Sequence, residues 1–175
     1  KRITRNNANE SGPCWSPDRR RLIVTSDLTG KPQLYEVDLP SGRLSRIPTN
    51  LSRHCSEAAW NPRNSNRIAY TAAMGGGFQI AEYDFALRKS RVLTTGSAES
   101  LQPEWANDGR HIFFTERRRG ATRLMILDAG SDEEARLTTH LKVVGGSGRE
   151  SPRPASLPLP KPVKLHDERF GNTSQ

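Results

Sequence analysis

The chain has 175 residues, 33% of them hydrophobic and 6% aromatic, with 27 Lys and Arg against 19 Asp and Glu for a net charge of +8. That length suits one ordinary domain, and no run approaches the ~18 apolar residues of a membrane-spanning helix. Two cysteines, Cys14 and Cys55, are too few for a disulfide-dense scaffold or a cysteine zinc site, and a chain opening on Lys1 is expected to be processed or part of something longer.

In chain order, Arg2-Ile3-Thr4 precedes the similar Arg46-Ile47-Pro48 by 44 residues, so residues 1–6 are predicted as the outer strand of a preceding unit. A short strand is predicted around Trp15, closed by a turn at Ser16-Pro-Asp18. Next comes the β-branched run Leu22-Ile-Val-Thr25, whose composition predicts a strand buried on both faces. A polar loop at residues 28–31 leads to Gln33-Leu-Tyr-Glu-Val-Asp38, which alternates apolar and polar residues as a half-buried strand does. A polar outer strand at residues 43–48 ends the unit. The same series then recurs. Trp15, Trp60 and Trp105 are each 45 residues apart, an apolar run ending in Thr25, Thr71 or Thr115 follows each, and Asp38, Asp84 and Asp128 each lie thirteen residues further on.

Three units result, at 7–50, 51–96 and 97–140. Four strands in about 40–45 residues is the signature of a β-propeller blade, and helical periodicity is absent from the repeats. The predicted fold class is therefore all-β: a propeller sector of three four-stranded blades plus the outer strand of a preceding blade. Residues 141–175, with Gly145-Gly-Ser-Gly148 and five prolines between 152 and 162, are predicted to form a disordered Gly/Pro-rich tail.

Each candidate for chemistry has a plainer competitor. The repeated tryptophans could line a binding face, but recurrence at one place in every unit favours core packing. Asp38, Asp84 and Asp128 could bind metal; one per unit, each ending a strand, they are read as acceptors for the following turn. Gly75-Gly-Gly77 lacks the Gly-Lys-Ser/Thr ending of a phosphate loop and is read as a hairpin turn. His54, His111, His140 and His166 have no paired spacing and default to surface or turn roles. There is no Gly-x-Ser-x-Gly elbow and no assembled nucleophile, base and oxyanion donor. The basic runs at 19–21 and 117–119 are the best case for an anionic partner against a solvated rim. Acids interspersed among the bases, and Tyr and Phe placed within strands, argue against a nucleic-acid stacking platform. A bridge between Cys14 and Cys55 stays open, because Cys55 is five residues ahead of its Trp and Cys14 only one.

The words Pro13-Cys-Trp-Ser-Pro-Asp18, Leu22-Ile-Val-Thr-Ser26, Gln33-Leu-Tyr35 and Asp38 resemble the WD40-like (PD40) repeat of the TolB propeller, and the likeness runs over residues 1–140. Arg19 in place of a turn Gly, Asn61 with an inserted residue, and Arg123 in place of Gln depart from the pattern. The resemblance implies a non-enzymatic, protein-binding propeller of the periplasmic Tol-Pal system. Its partners would be a peptidoglycan-associated lipoprotein and other envelope proteins, and its roles outer-membrane integrity and protein import. It implies no catalytic, cofactor-binding or metal-binding residue, no cofactor, no nucleic acid and no membrane span, and it assigns no protein-binding residue. Self-association of the three-blade sector is a further expectation. The same repeat occurs in the propellers of prolyl-oligopeptidase-type (S9) serine peptidases, so a truncated gating propeller is the alternative, with a general interaction scaffold behind it.

Overall fold

The computed structural model describes residues 1–130. Eleven strands form three antiparallel sheets in sequence order. β1 (Glu10–Trp15), β2 (Leu22–Ser26), β3 (Gln33–Asp38) and β4 (Arg43–Arg46) make the first. β5 (Cys55–Trp60), β6 (Arg67–Met74), β7 (Gly77–Asp84) and β8 (Lys89–Val92) make the second. β9 (Glu99–Trp105), β10 (His111–Arg118) and β11 (Ala121–Asp128) make the third. The expected fourth strand of the third blade and the tail at 141–175 lie outside the described residues. The molecule is an all-β propeller sector.

The eleven strands form for local reasons. β2 is a continuous buried run of β-branched and aliphatic residues, the composition that suits a central strand covered on both faces. β6 and β7 are closed by a two-residue turn at Gly75 and Gly76, with Met74 paired to Gly77. β10 and β11 are closed by Arg119 and Gly120, both at positive φ, the backbone of the tight hairpin turn whose twist matches the strands. Residues 1–9 enter no ladder among the described residues. Ile3 instead sets its carbonyl against Gly42 in the β3–β4 turn, and the buried Thr4 donates its hydroxyl to Glu10. An outer strand needs an inner neighbour to pair with, and the described residues offer none.

The core lies between the sheets. Ile23, Leu34 and Ile47 of the first sheet pack with Cys55, Trp60, Ile68, Tyr70 and Tyr83 of the second. Ala59, Ala69 and Ile80 of the second pack with Trp105, Ile112 and Phe114 of the third. Adjacent residues of one strand thus serve two interfaces: Ile68 and Tyr70 face back and Ala69 faces forward, the period-2 alternation of a sheet buried on both sides. Trp60 and Trp105 are core residues, each 6% exposed, but Trp15 is 50% exposed, which corrects the reading of all three as core. The later two are covered by the sheet before them; β1 has no described sheet ahead of it.

Charge is buried between the second and third sheets. Arg67 and Glu82, 2% and 3% exposed, are paired at 2.6 Å (Nε–Oε1) with a second contact of 2.9 Å from Nη2 to Oε2. Arg91 approaches the same carboxylate at 2.8 Å and donates to the Ala129 carbonyl of the next sheet. The Arg67 guanidinium also lies 5.2 Å from the Trp105 ring centroid. Such a group is satisfied by geometry, not by exposure.

Candidate protein-docking face

Each sheet is entered at its inner strand, and β5 lies against β1 on one side and β9 on the other. Two faces follow from antiparallel pairing. One carries the β1–β2-type and β3–β4-type turns. The other carries the β2–β3-type loops and the links from one sheet to the next.

The turn face is stabilised by its own acids. Asp38 accepts from Ser41 N at 3.3 Å, Asp84 from Ala86 N and Leu87 N at 2.8 and 2.9 Å, and Asp128 from Gly130 N at 2.8 Å. The three repeated aspartates are turn acceptors, and among the described residues no His, Cys, Asp and Glu cluster suits a metal. Asp108 accepts from the His111 ring at 2.7 Å and from Arg110 N and His111 N, which holds its carboxyl at about 2. Asn61, a departure from the family pattern, does not loosen its unit. It is buried, accepts from Arg63 N and Asn64 N, and donates to the Gly109 carbonyl of the next sheet at 2.8 Å. Gly109, at φ +70°, has no room for a Cβ beside Arg63 and Asn61; Arg19 holds the equivalent left-handed turn position in the first sheet at φ 58°.

The two basic runs do not come together. Residues 19–21 are on the turn face and 117–119 on the loop face, a separation that excludes a single anionic platform built from both. Arg21 is not available in any case. Its guanidinium sits 4.8 Å from the Trp60 ring centroid and 4.6 Å from that of Phe85, and donates to the Ser65 carbonyl. Arg117 pairs with Glu99 at 2.7 Å. His54 stacks edge-on with Phe78 at 5.2 Å, and His111 belongs to the Asp108 turn; His140 and His166 lie outside the described residues. Both cysteines are free thiols. Burial pushes each above the ordinary thiol value, and Cys55 contacts Thr49 Oγ1 and the Ser52 carbonyl.

The inner strands hold a feature that the sequence reading did not reach. Gly12, Glu57 and Gln102, each three residues before its Trp, have φ of 57°, 55° and 55° and mark a bulge in β1, β5 and β9. The bulge turns an N–H towards the preceding sheet: Glu57 N donates to Thr25 Oγ1 at 3.3 Å, and Gln102 N to Thr71 Oγ1 at 3.2 Å and Glu57 Oε2 at 2.9 Å. Thr25 and Thr71, which end the apolar runs of the first two units, are therefore inter-blade acceptors. The recurrence of the Thr was visible in the repeat; its partner, 32 or 31 residues away and three residues before a tryptophan, was not.

On the loop face, Thr29, Gly30, Lys31, Gln33, Arg46 and Arg53 line an open cleft of about 500 Å³ with no acid in its wall. Gln33, itself buried, accepts from Arg46 Nη2 at 3.1 Å and donates to the Ser52 carbonyl at 3.4 Å, so it sets the direction of that arginine.

Against known proteins, residues 1–149 match the family model described as the TolB beta propeller domain, PD40. The chain is 31% identical over 106 residues to the "Protein TolB homolog" of Chlorobium chlorochromatii, covering 61% of this chain and 23% of that protein. It is 31% identical over 93 residues to the "Tol-Pal system protein TolB" of Anaeromyxobacter dehalogenans, covering 53% and 21%. The chain thus spans under a quarter of the length of these relatives. The TolB crystal structure from Acinetobacter baumannii superposes with a TM-score of 0.59 at 23% identity, over 73% of this chain and 32% of that one. A puromycin hydrolase structure superposes at 0.55 and 19% identity, over 69% and 19%, which shows a shared fold only. Three repeated sheets with inter-sheet tryptophans, matched by the family model through residue 149, place this chain in the TolB β-propeller domain family.

Proposed function

We propose that this chain is the protein-binding part of a periplasmic Tol-Pal component, which docks a peptidoglycan-associated lipoprotein and catalyses no reaction. The observation that supports the reading is the family match over residues 1–149, together with relatives named as Tol-Pal system proteins. The geometry agrees in kind. A rigid stack of sheets presents loops and turns whose polar groups are largely occupied in holding the turns themselves, and such a surface binds through area and anchors. The likeness to a puromycin hydrolase keeps a hydrolase-associated propeller as the alternative at the level of fold alone. Pull-down from an envelope extract with the full-length parent, at low and high salt, tests the proposal alongside esterase and peptidase assays. Recovery of the lipoprotein without turnover is the expected outcome. Absence of the lipoprotein, or turnover abolished by a serine-directed inhibitor, transfers the assignment to the peptidase reading.

A further inference from the structure

Two departures from the blade repeat meet at one place on the loop face. Over the same thirteen residues from Thr to Asp, the second and third strands pair down to a two-residue turn in the second and third sheets, but in the first the ladder stops at Ser26 and Gln33 and leaves residues 27–32 as an open loop. The fold accepts continued pairing at this place, so the open loop is particular to the first blade. It forms one wall of the cleft, through Thr29, Gly30 and Lys31. The second departure is charge. Arg46 pairs with Tyr35 as Val92 pairs with Ala81, so the blade accepts an aliphatic residue there. Arg53, seven residues before Trp60, corresponds to Ala98, seven before Trp105. Gln33 by contrast has a true equivalent: Gln79 likewise donates to the link that follows its sheet, at Ala98 O. The cleft thus keeps the repeated glutamine as a support and adds three cations that blade packing does not demand.

The remaining hydrogen-bonding capacity defines the ligand. Gly30 N already donates to the Asp27 carbonyl at 2.7 Å, and Thr29 Oγ1 is 3.1 Å from the Tyr35 hydroxyl. Gly30 N is thereby occupied and is not offered to a phosphate as a nest would require. What faces the ligand is an open arc of three cationic heads, one of them aimed by Gln33, around a volume fit for several side chains. We propose that this cleft accepts the carboxylate side chains of an acidic segment of a protein partner. The proposal deepens the protein-docking reading and rests on it: Lys31, Arg46 and Arg53 are the residues through which a partner would be held on the loop face.

The test uses the 175-residue chain and a fluorescently labelled acidic decapeptide rich in Asp and Glu, read by anisotropy at low and high salt. The same peptide with Gln and Asn is the neutral probe. The expected result is saturable binding of the acidic peptide alone, weakened by salt, with at least a tenfold loss in K31E/R46E/R53E. The variant R19E/R20E/R43E, which changes charge equally on the turn face, should bind within about twofold of wild type. Circular dichroism confirms that both variants keep their sheets. Equal loss in both variants means attraction by net charge and overturns the proposal. So does displacement of the peptide by inorganic phosphate at concentrations that leave ionic strength unchanged, or unchanged binding in the cleft variant. The parent's pull-down separates the two readings: lipoprotein retained by a parent carrying the cleft substitutions sinks the cleft and leaves the docking function standing.

Discussion

Glu82 shows how a single carboxylate joins two sheets. Two arginines converge on it: Arg67, as buried as itself, and Arg91, which continues to the Ala129 carbonyl across the interface. Glu82→Gln keeps the volume and leaves Arg67 charged in a site sealed by Trp105. Removing one partner of a buried pair costs roughly 3–5 kcal/mol, while replacing both by apolar residues of similar size costs far less. Urea unfolding is expected to give that loss for E82Q and a smaller one for the double variant R67M/E82M. Equal losses would place the energy in packing and not in charge.

At the scale of the strand, the inner-edge bulge is the recurring device. A left-handed backbone is unfavourable for residues other than glycine, and Glu57 and Gln102 adopt it because the turned N–H groups gain acceptors on the neighbouring blade. Thr71 serves both sides, accepting from Gln102 N and donating to Glu57 Oε2 at 2.7 Å. Thr71→Val retains the shape and removes both bonds, so a destabilisation of about 1–2 kcal/mol is expected in thermal or urea melts. Thr71→Ser, which keeps the hydroxyl, should recover part of it. A Val variant as stable as wild type would show that the bulge is held by packing alone.

For the whole molecule, the two faces of the stack are unequal. On the third sheet Phe113 pairs with Ile126 across the ladder and Leu124 lies beyond, and Leu124 and Ile126 are 77% and 55% exposed. The positions of Phe113 and Leu124 are held by Ile23 and Leu34 in the first sheet and by Ala69 and Ile80 in the second, all fully buried under the sheet that follows, whereas the position of Ile126 is held there by Glu36 and Glu82. An apolar sheet face of this kind favours association. The 175-residue chain is expected to sediment as a concentration-dependent mixture, with a second copy covering this face, and L124E/I126E should shift it towards monomer. A single monomeric species for the unsubstituted chain would refute this.

The blade count, the strand types and the turn role of Asp38, Asp84 and Asp128 were legible in the chain, because each follows from local pattern: alternation, β-branched runs and turn chemistry repeated at a 45-residue spacing. Interface partners were not. The pairing of Arg67 with Glu82 depends on the register of β6 against β7, and the capture of Arg21 by Trp60 and Phe85 and the Thr25 and Thr71 bonds to the next bulge depend on how sheets face one another, which no local pattern encodes. Trp15 makes the same point. Its sequence word matches those of Trp60 and Trp105, yet burial is a property of what lies in front of a side chain, and only the latter two have a described sheet there. The basic cleft is the product of both levels: the residues that break the repeat were present in the sequence, and the tertiary structure decided that they converge.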